Sequence, residues 1–123
     1  MSNVTFVLLY VENVARSAEF YSRLLDKPTP EASLNFALLP VGPALMLGLW
    51  RQGDVAPAPD GRPGAAEIAI TLEDDSAVDA AHVRWAAQGA VIAQTPMRAD
   101  FGYTFLALDP DGHRLRAFHP ADR

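Results

Sequence analysis

The chain has 123 residues, half of them apolar, with ten basic residues against fifteen acidic for a net charge of −5, and no cysteine. Such a length holds one compact unit with a sizeable core, the acidic balance without a basic run argues against a nucleic-acid partner, and the lack of cysteine excludes disulfides, thiolate nucleophiles and zinc-thiolate sites. No stretch approaches the roughly 20 apolar residues of a membrane span, and Met1-Ser2-Asn3 opens without the basic and apolar regions of a signal peptide, so the expected location is the cytoplasm, with no membrane partner.

Residues 4–11 form an apolar, β-branched and aromatic run, the pattern of a strand buried on both faces. Asn13 is placed to cap a following helix in which Val14, Ala18, Tyr21 and Leu25 recur at helical spacing, and Lys27-Pro28 ends it. Residues 34–39 and 44–50 read as two strands joined by a turn at Pro40-Val41-Gly42-Pro43. Residues 51–64, rich in proline and glycine and without periodicity, read as a linker.

The order then repeats. A strand at residues 67–72 leads to Glu73, Asp74 and Asp75 at a helix start, and Ala77, Val78, Ala81 and Trp85 give that helix its inner face before Gly89 closes it. A short strand at residues 90–93 precedes a loop at 97–102 with the glycine and aspartate content of a flap. The chain closes on a hairpin, residues 104–108 and 113–118, around Asp109-Pro110-Asp111-Gly112. A shift of 61 residues carries Phe6 onto Glu67 and Asn13 onto Asp74, and a shift of 68 carries Gly48 onto Arg116. Agreement over a strand and a helix start indicates an internal duplication, with the extra length assigned to the 97–102 loop.

Leu9-Tyr10-Val11-Glu12-Asn13, then Arg16-Ser17 and Phe20-Tyr21, together with the closing Leu108-Asp109-Pro110-Asp111-Gly112-His113-Arg114-Leu115, resemble the vicinal oxygen chelate superfamily. That superfamily holds glyoxalase I, extradiol dioxygenases, fosfomycin resistance enzymes and bleomycin-binding proteins, and the resemblance covers nearly the whole chain. It implies an α+β fold: two βαβββ modules forming a curled mixed sheet in a single domain, with module 1 at about 1–50, the linker at 51–64 and module 2 at about 65–123. It also implies a homodimer. In the metalloenzymes of the group, metal ligands stand at positions that correspond here to Phe6, Gly48, Glu67 and Arg116. A phenyl ring, no side chain, one carboxylate and a permanent cation do not make the three or so imidazoles and carboxylates that a catalytic divalent ion needs. No metal, cofactor or catalytic residue is therefore expected. His82, His113 and His119 read as surface or edge residues.

Leu47-Gly48-Leu49-Trp50, Glu67-Ile68-Ala69-Ile70, Asp100-Phe101-Gly102, Thr104-Phe105 and the run into Arg116 look like the phenazine-resistance subset of the superfamily. The resemblance implies sequestration of a planar aromatic molecule at a dimer cleft, with Trp50 as stacking platform. Trp50 shares strand parity with Met46 and Gly48, so its ring would overhang an adaptable thioether and an empty position; it would equally serve to pack a subunit interface or cap the core. Glu67 and Arg116 admit three readings: a structural ion pair, a ligand contact in which Arg116 grips a carboxylate, or solvent-facing charges. Phe6, Phe101 and Tyr103 complete the candidate ligand-binding set as aromatic walls, with Trp85 assigned to the core and Tyr10, Tyr21, Asp109 and Asp111 to fold and turn. The function expected is metal-free binding of a planar aromatic antibiotic or toxin. The alternatives are a metal-dependent or cofactor-assisted enzyme of the same superfamily, or a purely structural or regulatory dimer.

Overall fold

The computed structural model describes residues 4–28 and 31–122; the amino-terminal Met1-Ser2-Asn3 lies outside them. The elements run β1 (Thr5–Val11), α1 (Val14–Leu25), β2 (Glu31–Ala32), β3 (Phe36–Gly42), β4 (Leu45–Arg51), β5 (Glu67–Thr71), α2 (Asp75–Ala87), β6 (Val91–Ala99), β7 (Gly102–Leu108) and β8 (Arg114–Pro120), with one 3-10 turn at Gln52–Asp54. Two units result, the first ending at Gly61 and the second starting at Arg62. Each is a βαβββ module with its own four-stranded mixed sheet, ordered β1-β4-β3-β2 in one and β5-β8-β7-β6 in the other. No helix among the described residues is long and apolar enough to cross a membrane.

Both helices start where a side-chain oxygen satisfies an amide that the helix leaves without a partner. Asn13 Oδ1 accepts from the Arg16 amide at 2.9 Å and Asp74 Oδ1 from the Ala77 amide at 2.7 Å. In the first unit α1 packs Val14, Ala18, Tyr21 and Leu24 on the sheet face formed by Ala37, Leu39, Leu47 and Leu49, all buried. In the second, α2 lays Val78, Ala81 and Trp85 on Phe105, Ala107, Leu115 and Ala117, with the Trp85 and Phe105 rings edge-on at 5.1 Å. Trp85 is core, as its helical spacing indicates.

The strand register makes the duplication explicit. Phe6 pairs with Met46 and Leu8 with Gly48 in the first unit, while Glu67 pairs with Arg114 and Ala69 with Arg116 in the second. The antiparallel neighbours obey the same offsets, Leu38 with Gly48 and Leu106 with Arg116. The Asp-Pro-Asp-Gly turn is held by Asp109, whose Oδ1 accepts from the amides of Asp111 at 2.8 Å and His113 at 2.9 Å.

Four local expectations are corrected. β1 is not buried on both faces: it forms one edge of its sheet while α1 packs over β2, β3 and β4, and Val4, Phe6, Val7 and Leu8 stay exposed. The first hairpin turns at Pro43-Ala44, because β3 continues through Pro40 and absorbs it in a bulge before Gly42. The flap at 97–102 is the end of β6 and a turn at Asp100-Phe101, and the extra length of the second unit lies in β6 itself, whose two register shifts hide the alternation a strand should show. β2, two residues long, carries too little pattern to be read from sequence.

Candidate functional site

In each unit the helix covers one sheet face, and period-two alternation sends the remaining side chains to the other. The first unit thereby gathers Phe6, Leu8 and Tyr10 from β1, Met46 and Trp50 from β4, and Phe36 and Leu38 from β3. Trp50 is half-buried at the centre of an aromatic group, edge-on to Tyr10 at 6.1 Å and to Phe36 at 6.5 Å. Phe6 is exposed and Met46 half-buried on the same face. Gly48 does not form an open floor. It is buried because Leu8 and Phe36 close over it: a Cβ there would stand 3.1 Å from Phe36 Cζ. Its lack of a side chain is spent on protein packing. Tyr10, assigned to the fold on sequence, joins this face because the parallel register sets it beside Trp50.

The corresponding face of the second unit is charged. Arg116 donates from Nε to Glu67 Oε1 at 2.7 Å and from Nη2 to Oε2 at 2.9 Å, a bidentate fork. Its Nη1 donates to Thr104 Oγ1 at 3.2 Å and Gln94 Oε1 at 3.4 Å. Arg114 adds an ion-pair contact, its Nε 3.2 Å from Glu67 Oε2. The hydrogen bonds from Arg116 hold the Glu67 carboxyl below its ordinary value; partial burial opposes this and the charges of both arginines assist it. The bond to Glu67 in turn raises the Arg116 guanidinium. Of the three readings, this geometry describes an ion pair, with the fork that a ligand carboxylate would need already taken by Glu67.

Phe101 joins this group from its turn, which the Ala121 amide anchors by donating to the Phe101 carbonyl at 2.8 Å. The Phe101 ring lies edge-on to Phe118 at 5.6 Å and 5.7 Å from the Arg116 guanidinium carbon, within cation–π range. Tyr103 is separated from it. Strand parity places Tyr103 beside His119 on the α2 side, where its hydroxyl donates to Asp79 Oδ1 at 2.7 Å and Arg98 stacks over the ring at 5.0 Å. The bond to Asp79 raises the Tyr103 phenol above its ordinary value. Gln94, Thr104 and Arg114 join the site beyond the residues expected from sequence. Arg114 was legible through its parity with Arg116; Gln94 was not, because the bulges of β6 erase parity there.

The four positions at which the resemblance would put metal ligands fail a donor test. Phe6 and Gly48 offer no donor, Arg116 is a permanent cation, and both carboxylate oxygens of Glu67 are engaged by Arg116. Among the described residues no group of three or more histidines, cysteines or carboxylates is placed to hold a metal ion. His82 lies edge-on to Phe105 on the helix side, His113 is in the Asp109 turn, and His119 Nδ1 lies 3.1 Å from the Leu72 carbonyl.

The profile of the Glyoxalase/Bleomycin resistance protein/Dioxygenase superfamily matches residues 3–117. The phenazine antibiotic resistance protein EhpR of Enterobacter agglomerans is 31% identical over 112 residues, covering 89% of this chain and 85% of that protein. Protein ATC0852 of Agrobacterium tumefaciens, solved by NMR, superposes with a TM-score of 0.88 at 38% identity over 99% of this chain and all of the other. A glyoxalase/bleomycin resistance protein/dioxygenase family enzyme of Burkholderia phytofirmans superposes with a TM-score of 0.85 at 17% identity, over 98% of this chain and 100% of that one, a likeness of fold.

Proposed function

We propose a binding function for this chain, which belongs to the Glyoxalase/Bleomycin resistance protein/Dioxygenase superfamily: it takes up a planar aromatic antibiotic or toxin, phenazine-like, and lowers its free concentration in the cytoplasm. No bond is broken and no metal or cofactor takes part. The observation that carries this reading is Trp50, half-buried on an apolar face with Tyr10 and Phe36 edge-on to it. Trp50 keeps part of its indole exposed on this face, and stacking of a flat ligand on such a ring is worth on the order of 1 kcal/mol beyond the area removed from water. The exposed Phe6 and half-buried Met46 extend the apolar ground around it.

The similarity to the phenazine antibiotic resistance protein supports the ligand class. The reading includes a homodimer, in which a second copy covers the exposed Phe6 and Leu8 and turns an open face into a cleft. The failure of Phe6, Gly48, Glu67 and Arg116 as a donor set speaks for a binder over a metalloenzyme.

Titration with phenazine, followed by the heat of binding and, in the parent protein, also by tryptophan fluorescence, tests the reading. Trp85 is buried in the core and serves as the internal reference. Trp50→Ala is expected to weaken binding at least tenfold, about 1.4 kcal/mol, with an unchanged circular dichroism spectrum. Affinity unaltered by that substitution removes Trp50 from the site. Stoichiometric metal in the purified protein, together with turnover that chelation abolishes, overturns the metal-free reading.

A further inference from the structure

Beside the Glu67–Arg116 pair, on the open side of the second unit, lies a groove of about 440 Å³ lined by Gly64, Ala93, Gln94, Leu106, Leu108, Gly112 and Arg114. We propose that this groove is an anion-specific subsite for an apolar acid, with Arg114 as its cation and Gln94 as its second donor. Its volume falls in the range of small-molecule sites, which are mostly apolar with a few placed polar groups. Leu106, Leu108 and Ala93 supply the apolar lining.

The charge argument is a count. One carboxylate, Glu67, stands against two guanidiniums, Arg114 and Arg116, in a protein whose net charge is −5. Arg116 engages both oxygens of Glu67, whereas Arg114 approaches only with Nε at 3.2 Å. The positive charge left over therefore resides on Arg114, which reaches the groove wall and keeps more than a third of its side chain exposed. Gln94 points to the same ligand by a separate route. Its carbonyl oxygen accepts from Arg116 Nη1 at 3.4 Å, which turns its amide NH₂ into the remaining donor. A cation and an amide donor above a leucine floor select a carboxylate on an apolar body over its neutral isostere.

Arg116 is then a positioning residue. It neutralises Glu67, which would otherwise pair with Arg114, and it orients Gln94. The groove uses no residue of the Trp50 face, and the test separates the two.

The probes are 2-naphthoate and its neutral analogue 2-naphthamide, followed by amide chemical shifts of the nitrogen-15-labelled protein. Naphthoate is expected to shift the amides of Gly64, Ala93, Gln94 and Gly112 saturably and to bind at least tenfold tighter than naphthamide. Arg114→Gln should weaken naphthoate at least tenfold and naphthamide by about twofold or less. Arg116→Gln should also weaken naphthoate, and adding Glu67→Gln to it should restore part of the affinity by releasing Arg114, a rescue that loss of structure alone would not give. Equal affinity for the two probes, an Arg114→Gln variant that binds naphthoate normally, or shifts that avoid the groove amides overturns the proposal. Phenazine quenching of Trp50 measured on the same Arg114→Gln sample should be unchanged, so failure here leaves the Trp50 reading standing and the converse also holds.

Discussion

Gly48 and Arg116 occupy the same register position in two copies of one sheet, Gly48 between Leu8 and Leu38, Arg116 between Ala69 and Leu106. In the first copy two apolar side chains close over the vacant Cβ position; in the second a guanidinium fills it and gathers Glu67, Gln94 and Thr104. The neighbours diverge in the same sense. Phe6 corresponds to Glu67, Met46 to Arg114, and Trp50 to Phe118. One backbone pattern thus presents an aromatic surface in one unit and a charged one in the other.

The two tight glycines should respond differently to a methyl group. At Gly48 the nearest obstacle is the tip of the exposed Leu8 side chain, which has room to swing away, so Gly48→Ala should cost less than about 1 kcal/mol. At Gly102 the backbone has φ +150° and the Cβ would overlap the His119 carbonyl oxygen, which belongs to a paired strand and has nowhere to go. Gly102→Ala should cost at least about 2 kcal/mol in urea unfolding. Equal losses for the two variants contradict this account.

Stability should depend on the ionisation of Glu67. Because Arg116 depresses its folded-state pKa, the unfolded chain binds the proton more readily, and the pair stabilises the fold at pH above the ordinary carboxylate value of about 4.3. That contribution is lost as pH falls through the lower folded value. Urea unfolding at a series of pH values should therefore show Glu67→Gln less stable than the parent near neutrality, with the gap narrowing below about pH 4. A gap that does not change with pH removes the ion pair from the stability of this unit.

The helix caps should act independently, since Asn13 and Asp74 belong to different units. Asn13→Ala and Asp74→Ala should each cost about 1 kcal/mol, whereas glycine at either position should cost only a few tenths. Additivity in the double variant, within about 0.5 kcal/mol, is the check.

Tyr103 should ionise late because its hydroxyl donates to Asp79. Asp79→Asn removes the charge that opposes phenolate formation, and the ultraviolet titration of Tyr103 should move back toward ordinary tyrosine. An unmoved midpoint means the bond is not formed in solution.

The elements most legible in the sequence were those with a strong local cause. Asn13 and Asp74 are good capping residues ahead of helical apolar spacing, Asp109 to Gly112 is a turn with a mechanism, and the 61-residue offset is written in paired positions. What escaped depends on neighbours distant in sequence. Whether β1 is covered depends on where α1 packs, Gly48 is buried by Leu8 and Phe36, and Tyr103 lies across the sheet from Thr104 and Arg116 because its pairing with His119 sets it on the α2 side. The bulges in β6 hid both its length and the placement of Gln94. Of the site residues expected, Phe6, Met46 and Trp50 do share one face of the first unit, and Glu67, Arg116 and Phe101 share one in the second.

β1 carries a further consequence. It is a terminal strand of its sheet with Phe6, Val7 and Leu8 bare, and an apolar sheet margin is a template on which a foreign strand can grow. The protein's shelf life in concentrated solution is therefore tied to how well this margin is shielded. Lysine at Val7 would act as a gatekeeper against fibrous association.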